Sequence, residues 1–186
     1  MNIVIISGSR NPNGRTAGAI AAAQSGVEKR NAKTSVNFLP TLSIERCRQC
    51  DVDGWGMCRR EGRCIIEDDF SDLVDQLNNA EGVIFATPVY FSDLSESMRA
   101  FLDRLRRISM HDSSTAEIKN KPMLGIAVAG GGGGGAPACL LQLEKIVSRC
   151  GFDVKDLIPV RRQNAGVKET VLASAGEWFA DECGGR

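Results

Sequence analysis

Strand-length apolar runs alternate with helical periods five times along this chain, and that alternation limits the fold more than any other feature. The runs are Ile3–Ile6, a polar-alternating stretch around Val36 and Phe38, Val83–Ala86, Met123–Ala129 and Val154–Val160. After the first comes a stripe of Thr16, Ile20, Ala23 and Val27, spaced four, three and four residues. Phe70, Leu73, Val74 and Leu77 form the next stripe, with Asp68 or Asp69 as its cap. Met98, Phe101, Leu102, Leu105 and Ile108 follow, then Leu140, Leu143, Val147 and Cys150, then Val171, Ala175, Trp178 and Phe179. A strand that returns through a helix pairs in parallel, and a parallel sheet needs helices on both faces.

The expected fold is therefore α/β in three layers: a doubly wound, five-stranded parallel sheet. The polar second strand belongs at an edge, which suits the flavodoxin-like order 2-1-3-4-5. A length of 186 residues suits a single domain over 1–186, with a Cys-rich loop at 45–66 inserted after the second strand. Lys and Arg balance Asp and Glu at 23 each, so there is no basic field for nucleic acid. The apolar start "MNIVIISGSR" is too short for a signal peptide or a membrane span, which points to the cytoplasm. Thiols there stay reduced, so clustered cysteines suggest metal or redox chemistry rather than a disulfide staple.

In such a sheet, ligands sit beyond the carboxyl ends of the strands. Three loops expected on that edge stand out. "GSRNPNGRT", Gly8 to Thr16, would offer free helix N-terminal N–H groups, the Ser9 and Thr16 hydroxyls, and Arg10 or Arg15 to a phosphate. It matches neither a P-loop nor G-x-G-x-x-G, and a plain polar turn is the alternative. "TPVYFSDLSESMRAFLDR" sets the sole tyrosine, Tyr90, beside Phe91 directly after a strand, where flat aromatic ligands dock or where aromatics simply cap a core. Six glycines, Gly130 to Gly135, cost chain entropy and packing, which close backbone approach to a ligand would justify.

Together these motifs resemble the NAD(P)H-dependent FMN reductases and iron–sulfur flavoproteins of the flavodoxin-like fold, over nearly the whole chain. The resemblance implies that Ser9, Arg10, Asn13, Gly14, Arg15 and Thr16 hold the FMN phosphate. Thr87, Pro88, Val89, Tyr90, Phe91 and Ser92 would contact the isoalloxazine, with backbone N–H groups of the Pro88–Phe91 loop facing the reduced ring. Gly130, Gly131 and Gly132 would line its other side. NAD(P)H is the implied co-substrate, a small molecule or protein the electron acceptor, and a homodimer or homotetramer the implied assembly.

Four of the seven cysteines, Cys47, Cys50, Cys58 and Cys64, crowd one loop, which the topology is expected to place on the ligand edge. In the iron–sulfur flavoproteins a compact Cys motif binds a 4Fe-4S cluster beside the flavin. This chain resembles it at Cys47-x2-Cys50, at Cys58-x5-Cys64 and in the following "IIEDDF", but seven residues separate Cys50 from Cys58 where that pattern has two. Cluster, zinc and metal-free thiols all stay open. Cys139, Cys150 and Cys183 read as packing residues, and His111 as a loop residue on the amino edge. Arg161 and Arg162 follow the last strand on the ligand edge. The expected function is an FMN-dependent oxidoreductase taking hydride from NAD(P)H, or alternatively a relay between a cluster and FMN.

Overall fold

The computed structural model describes residues 1–111 and 116–185. Its sheet contains β1 (Asn2–Ser7), β2 (Lys33–Phe38), β3 (Gly82–Pro88), β4 (Pro122–Ala129) and β5 (Asp153–Arg161), all parallel, in the order 2-1-3-4-5. The helices are α1 (Arg15–Glu28), the short α2 (Met57–Arg60), α3 (Phe70–Asn79), α4 (Glu96–Ile108), α5 (Ala136–Cys150) and α6 (Ala165–Gly184).

Side chains alternate across a pleat, so each strand feeds two cores. Val4 and Ile6 of β1, Val83 and Phe85 of β3, and Met123 and Ala127 of β4 pack with α3, α4 and α5. Ile3 and Ile5, Ile84 and Ala86, and Leu124 and Ile126 pack on the opposite face with α1 and α6. The central strands are buried on both faces, and β2 is only partly so, as its polar alternation anticipates. A register shift between Met123 and Leu124 kinks the pairing with β5.

Helix ends follow local chemistry. Ser95 caps α4, its hydroxyl accepting from the Met98 N–H. Gly151 ends α5 with φ of 98°, a left-handed turn that suits glycine. Lys121 ends α3 from outside: its buried ammonium donates to the carbonyls of Leu77 (2.6 Å), Asn78 (2.8 Å) and Ala80.

The α6 stripe differs from the sequence expectation. Val171 and Trp178 are exposed, while Leu172, Gly176, Phe179, Ala180 and Cys183 face inward. The physical reason is contact with α1: a Cβ at Gly176 would overlap the Ala23 carbonyl, and one at Gly26 would overlap that of Ala173. Two glycines let the helix backbones touch, and that contact sets the rotation of a helix apolar on both sides. Among the described residues, no helix is long and apolar enough to cross a membrane.

Candidate functional site

The carboxyl ends of β1, β3 and β4 enclose a cleft of about 590 Å³. Its walls include Ser9, Gly14, Arg15 and Thr16 from the first loop, Pro88 to Ser92 from the second, and Gly130, Gly131 and Gly132 from the third. Three expected residues stand elsewhere. Arg10 and Asn13 are exposed and do not line the cleft. Thr87 is fully buried beneath it, accepting from the Ser95 N–H (3.2 Å) and donating to the Pro88 carbonyl (3.0 Å), so it shapes the loop from inside.

The wall also contains Asn11, Gly133 and Gly134, which lie in the loops the sequence singles out without being among the expected contacts, and Val128 and Ala129, which were not expected there. Asn11 has a recognisable signal in "NPNG". Its side-chain oxygen accepts from the Asn13 N–H (3.0 Å) and its carbonyl from the Gly14 N–H (3.2 Å), forming an Asx turn. The Asn11 N–H in turn donates to the Ser9 hydroxyl (3.2 Å). Loop amides are thereby used internally, while the first-turn amides of α1, at Arg15, Thr16 and Ala17, have no intrahelical acceptor. Gly14 supplies no side-chain cap and the first turn holds no acid, so this positive helix end suits an anion.

The second wall is strained. Tyr90 and Asp93 exchange backbone hydrogen bonds of 3.0 and 2.9 Å across a two-residue turn. Phe91 and Ser92 occupy it with φ of 48° and 65°, a region that costs a non-glycine residue about 1–2 kcal/mol. Phe91 is fully exposed at the rim. The Val89 and Tyr90 N–H groups are spent on Val128 and Asp93 carbonyls, and Pro88 has none. That corrects the expectation for Pro88–Phe91: only the Phe91 amide of that stretch is left to face a ligand. An ion pair from Arg99 of α4 to Asp93 holds the turn from behind.

The third wall explains its glycines by alternation. Gly131, Gly133 and Gly135 have φ of 40°, 78° and 83°. A Cβ at Gly135 would lie 2.6 Å from the Ser92 hydroxyl and 2.9 Å from the Ser92 Cα, so the third loop rests directly on the strained turn. A Cβ at Gly132 or Gly134 would meet nothing within 4 Å. The fold does not require those two glycines. Both face open space in the cleft.

The cysteine loop lies apart. Cys47, Cys50, Cys58 and Cys64 all line one small cleft with Arg48, Arg104 and Arg107, and it shares no lining residue with the large cleft. The expectation placed this loop on the ligand edge. It instead descends along α4 to Arg104 and Arg107, about 12–16 Å along the helix axis from Glu96. Arg104 is the cause. Its guanidinium pairs with Asp68, donates to the carbonyls of Glu45 (3.1 Å) and Ile66 (3.4 Å), and stacks 4.1 Å from the Phe70 ring. Arg107 donates to the Gly54 carbonyl (2.8 Å) and stacks on Trp55. The free volume is about 20 Å³, room for about one water. Among the described residues no three His, Cys, Asp or Glu side chains are placed to hold a metal ion. In this conformation the four thiols fit neither zinc nor a cluster.

The remaining thiols are structural. Cys139, Cys150 and Cys183 are buried, and burial pushes the first two up to about 12.

The family model for NADPH-dependent FMN reductase matches residues 1–156. An iron–sulfur flavoprotein of Methanocaldococcus jannaschii is 30% identical over 106 residues, covering 57% of this chain and 52% of that protein. One from Methanosarcina thermophila is 30% identical over 133 residues, covering 70% and 64%. The chain thus spans about half to two thirds of the length of these curated relatives. Among solved structures, an NAD(P)H:quinone oxidoreductase from Methanothermobacter marburgensis superposes with a TM-score of 0.70 at 14% identity, covering 95% of this chain and 94% of its own. A WrbA-like flavodoxin from Agrobacterium tumefaciens gives 0.59 at 17% identity, covering 99% and 98%. At such identities these two show the shared fold.

Proposed function

Because the chain belongs to the NADPH-dependent FMN reductase family, we propose that its large cleft holds FMN and that it is an NAD(P)H-dependent oxidoreductase reducing a quinone, a flavin or a similar small acceptor. The observation that carries this reading is the shape of the cleft. A positive helix end and Arg15 stand at one wall, and largely backbone walls from two loops leave open space for a flat ring. Bound FMN would supply the redox chemistry, taking hydride from the nicotinamide.

The chain's residues would bind and orient. The α1 amides, Ser9, Thr16 and Arg15 would hold the phosphate, and the Phe91 and Ser92 turn would cover the ring edge. Self-association belongs to the same proposal: Val167, Val171 and Trp178 form an exposed apolar face of α6 that a second copy would cover. Anaerobic addition of NADPH or NADH to the FMN-loaded protein tests the reading. Bleaching of the oxidised-flavin absorbance is expected, and a spectrum unchanged by either nucleotide would overturn it.

A second reading gives the cysteine loop an iron–sulfur cluster. Four cysteines within one loop support it, as does the name carried by the curated relatives. The loop would have to open to admit one, so no electron path is assigned through it. Iron and acid-labile sulfide in anaerobically purified protein decide the matter: about four of each per chain supports the cluster, and their absence leaves a thiol loop.

A further inference from the structure

Beside the large cleft lies a narrower one of about 120 Å³, floored by apolar residues such as Val160 and Leu172. Arg15, Arg161 and Arg162 line it, with Glu169 as the sole acid of its wall, giving three positive charges against one negative. Among the described residues none of the three guanidinium groups has a carboxylate partner in an ion pair. The start of α6 opens onto the same space: Ala165 lines it, and the first turn of that helix holds no acid and no side-chain cap. The clefts share Arg15, Val128 and Ala129, so a ligand in the larger one can extend into the smaller. Arg15, Arg161 and Arg162 are exposed, and three guanidinium groups without carboxylate partners at one groove are suited to forked recognition of a doubly charged phosphomonoester.

We propose that Arg161 and Arg162 bind the 2′-phosphate of NADPH and make the protein select NADPH over NADH. The inference rests on the nicotinamide-dependent reading above and adds residues and a preference to it. The ribose 2′ position is where the two nucleotides differ, carrying the phosphate in one and a hydroxyl in the other. A site for that group changes the choice between them without touching the hydride donor. Arg15 reaches both clefts and is left to the FMN phosphate; the selective pair is Arg161 and Arg162.

The test is calorimetric binding of 2′,5′-ADP and 5′-AMP to the FMN-loaded protein, with kcat/KM measured for NADPH and NADH. Wild type is expected to bind 2′,5′-ADP about tenfold or more tightly than 5′-AMP, since hydrogen bonds to charged groups are among the strong ones. R161A and R162A should each remove most of that margin, and R161K and R162K should keep part of it. The ratio of kcat/KM for NADPH over NADH should fall in parallel. FMN affinity measured on each variant reports whether its fold is intact.

No preference for 2′,5′-ADP in wild type, or a preference that survives the double variant, would overturn the proposal. Selective binding lost in the variants, together with no oxidation of either nucleotide, would keep the anion site and sink the oxidoreductase reading. Equal oxidation of both nucleotides with no 2′,5′-ADP preference would do the reverse.

Discussion

Arg104 of α4 and Asp68 at the exit of the cysteine loop form a two-pronged ion pair of 2.6 and 2.8 Å, with side chains only 1% and 4% exposed. The same guanidinium binds the Glu45 carbonyl at the loop entrance, so one side chain closes the loop at both ends.

Removing either partner leaves a buried charge unpaired, which costs about 3–5 kcal/mol. Arg104→Met and Asp68→Asn should each lower stability by an amount in that range, measured by urea unfolding with the slope checked. The pair also gives a pH signature. Burial alone would raise the Asp68 carboxyl, but the Arg104 hydrogen bond and the Glu45 and Phe70 N–H groups outweigh it and hold it below its ordinary value. A depressed folded value means the stabilisation is present above the unfolded pKa of about 3.9 and lost as pH falls through the folded one. The acid branch of the stability curve should therefore be shallower in Asp68→Asn.

The glycine loop separates fold from ligand. Gly135→Ala meets Ser92 backbone at φ of 83° and should lower the melting temperature. Gly132→Ala meets nothing in the protein, so its melting temperature should hold while FMN affinity falls. Thermal melts beside flavin titrations check both.

Arg15 lines the cleft and Arg10 does not. Arg15→Ala should weaken FMN binding about tenfold, the size of one charged hydrogen bond, with a reduced salt dependence. Arg10→Ala should change it less than twofold. Fluorescence titration at two salt concentrations separates them.

Thiol reactivity should divide along burial. Thiolate is the nucleophile, and burial holds Cys139 and Cys150 at about 12. Iodoacetamide at neutral pH should label Cys47, Cys50, Cys58 and Cys64, which are half-buried, and spare Cys139, Cys150 and Cys183. Peptide mass mapping of the native protein reads this directly.

Strand and helix order was legible because period two and period 3.6 are local signals, and β1, β3 and β4 are apolar throughout. The rotation of α6 was not, since its sequence is apolar on both faces and the deciding contact lies with Gly26 in another helix. Arg104 was equally hidden: a guanidinium beside an apolar stripe reads as solvent-facing until its partners, 36 and 59 residues away, are seen. For the same reason the cysteine loop was expected on the ligand edge. In the cleft, loops with special backbone chemistry were visible as Gly, Pro and Asn, and the lining ends of β4 were not, because Val128 and Ala129 look like any core strand.

The most direct test of the central claim, that the cleft at the ends of β1, β3 and β4 is an FMN site, is an equilibrium titration of wild type and Gly132→Ala with FMN, followed by flavin fluorescence. One FMN bound per chain, with weaker binding in the variant at unchanged stability, is the expected result. No saturable binding by wild type, or identical binding by both proteins, would contradict it.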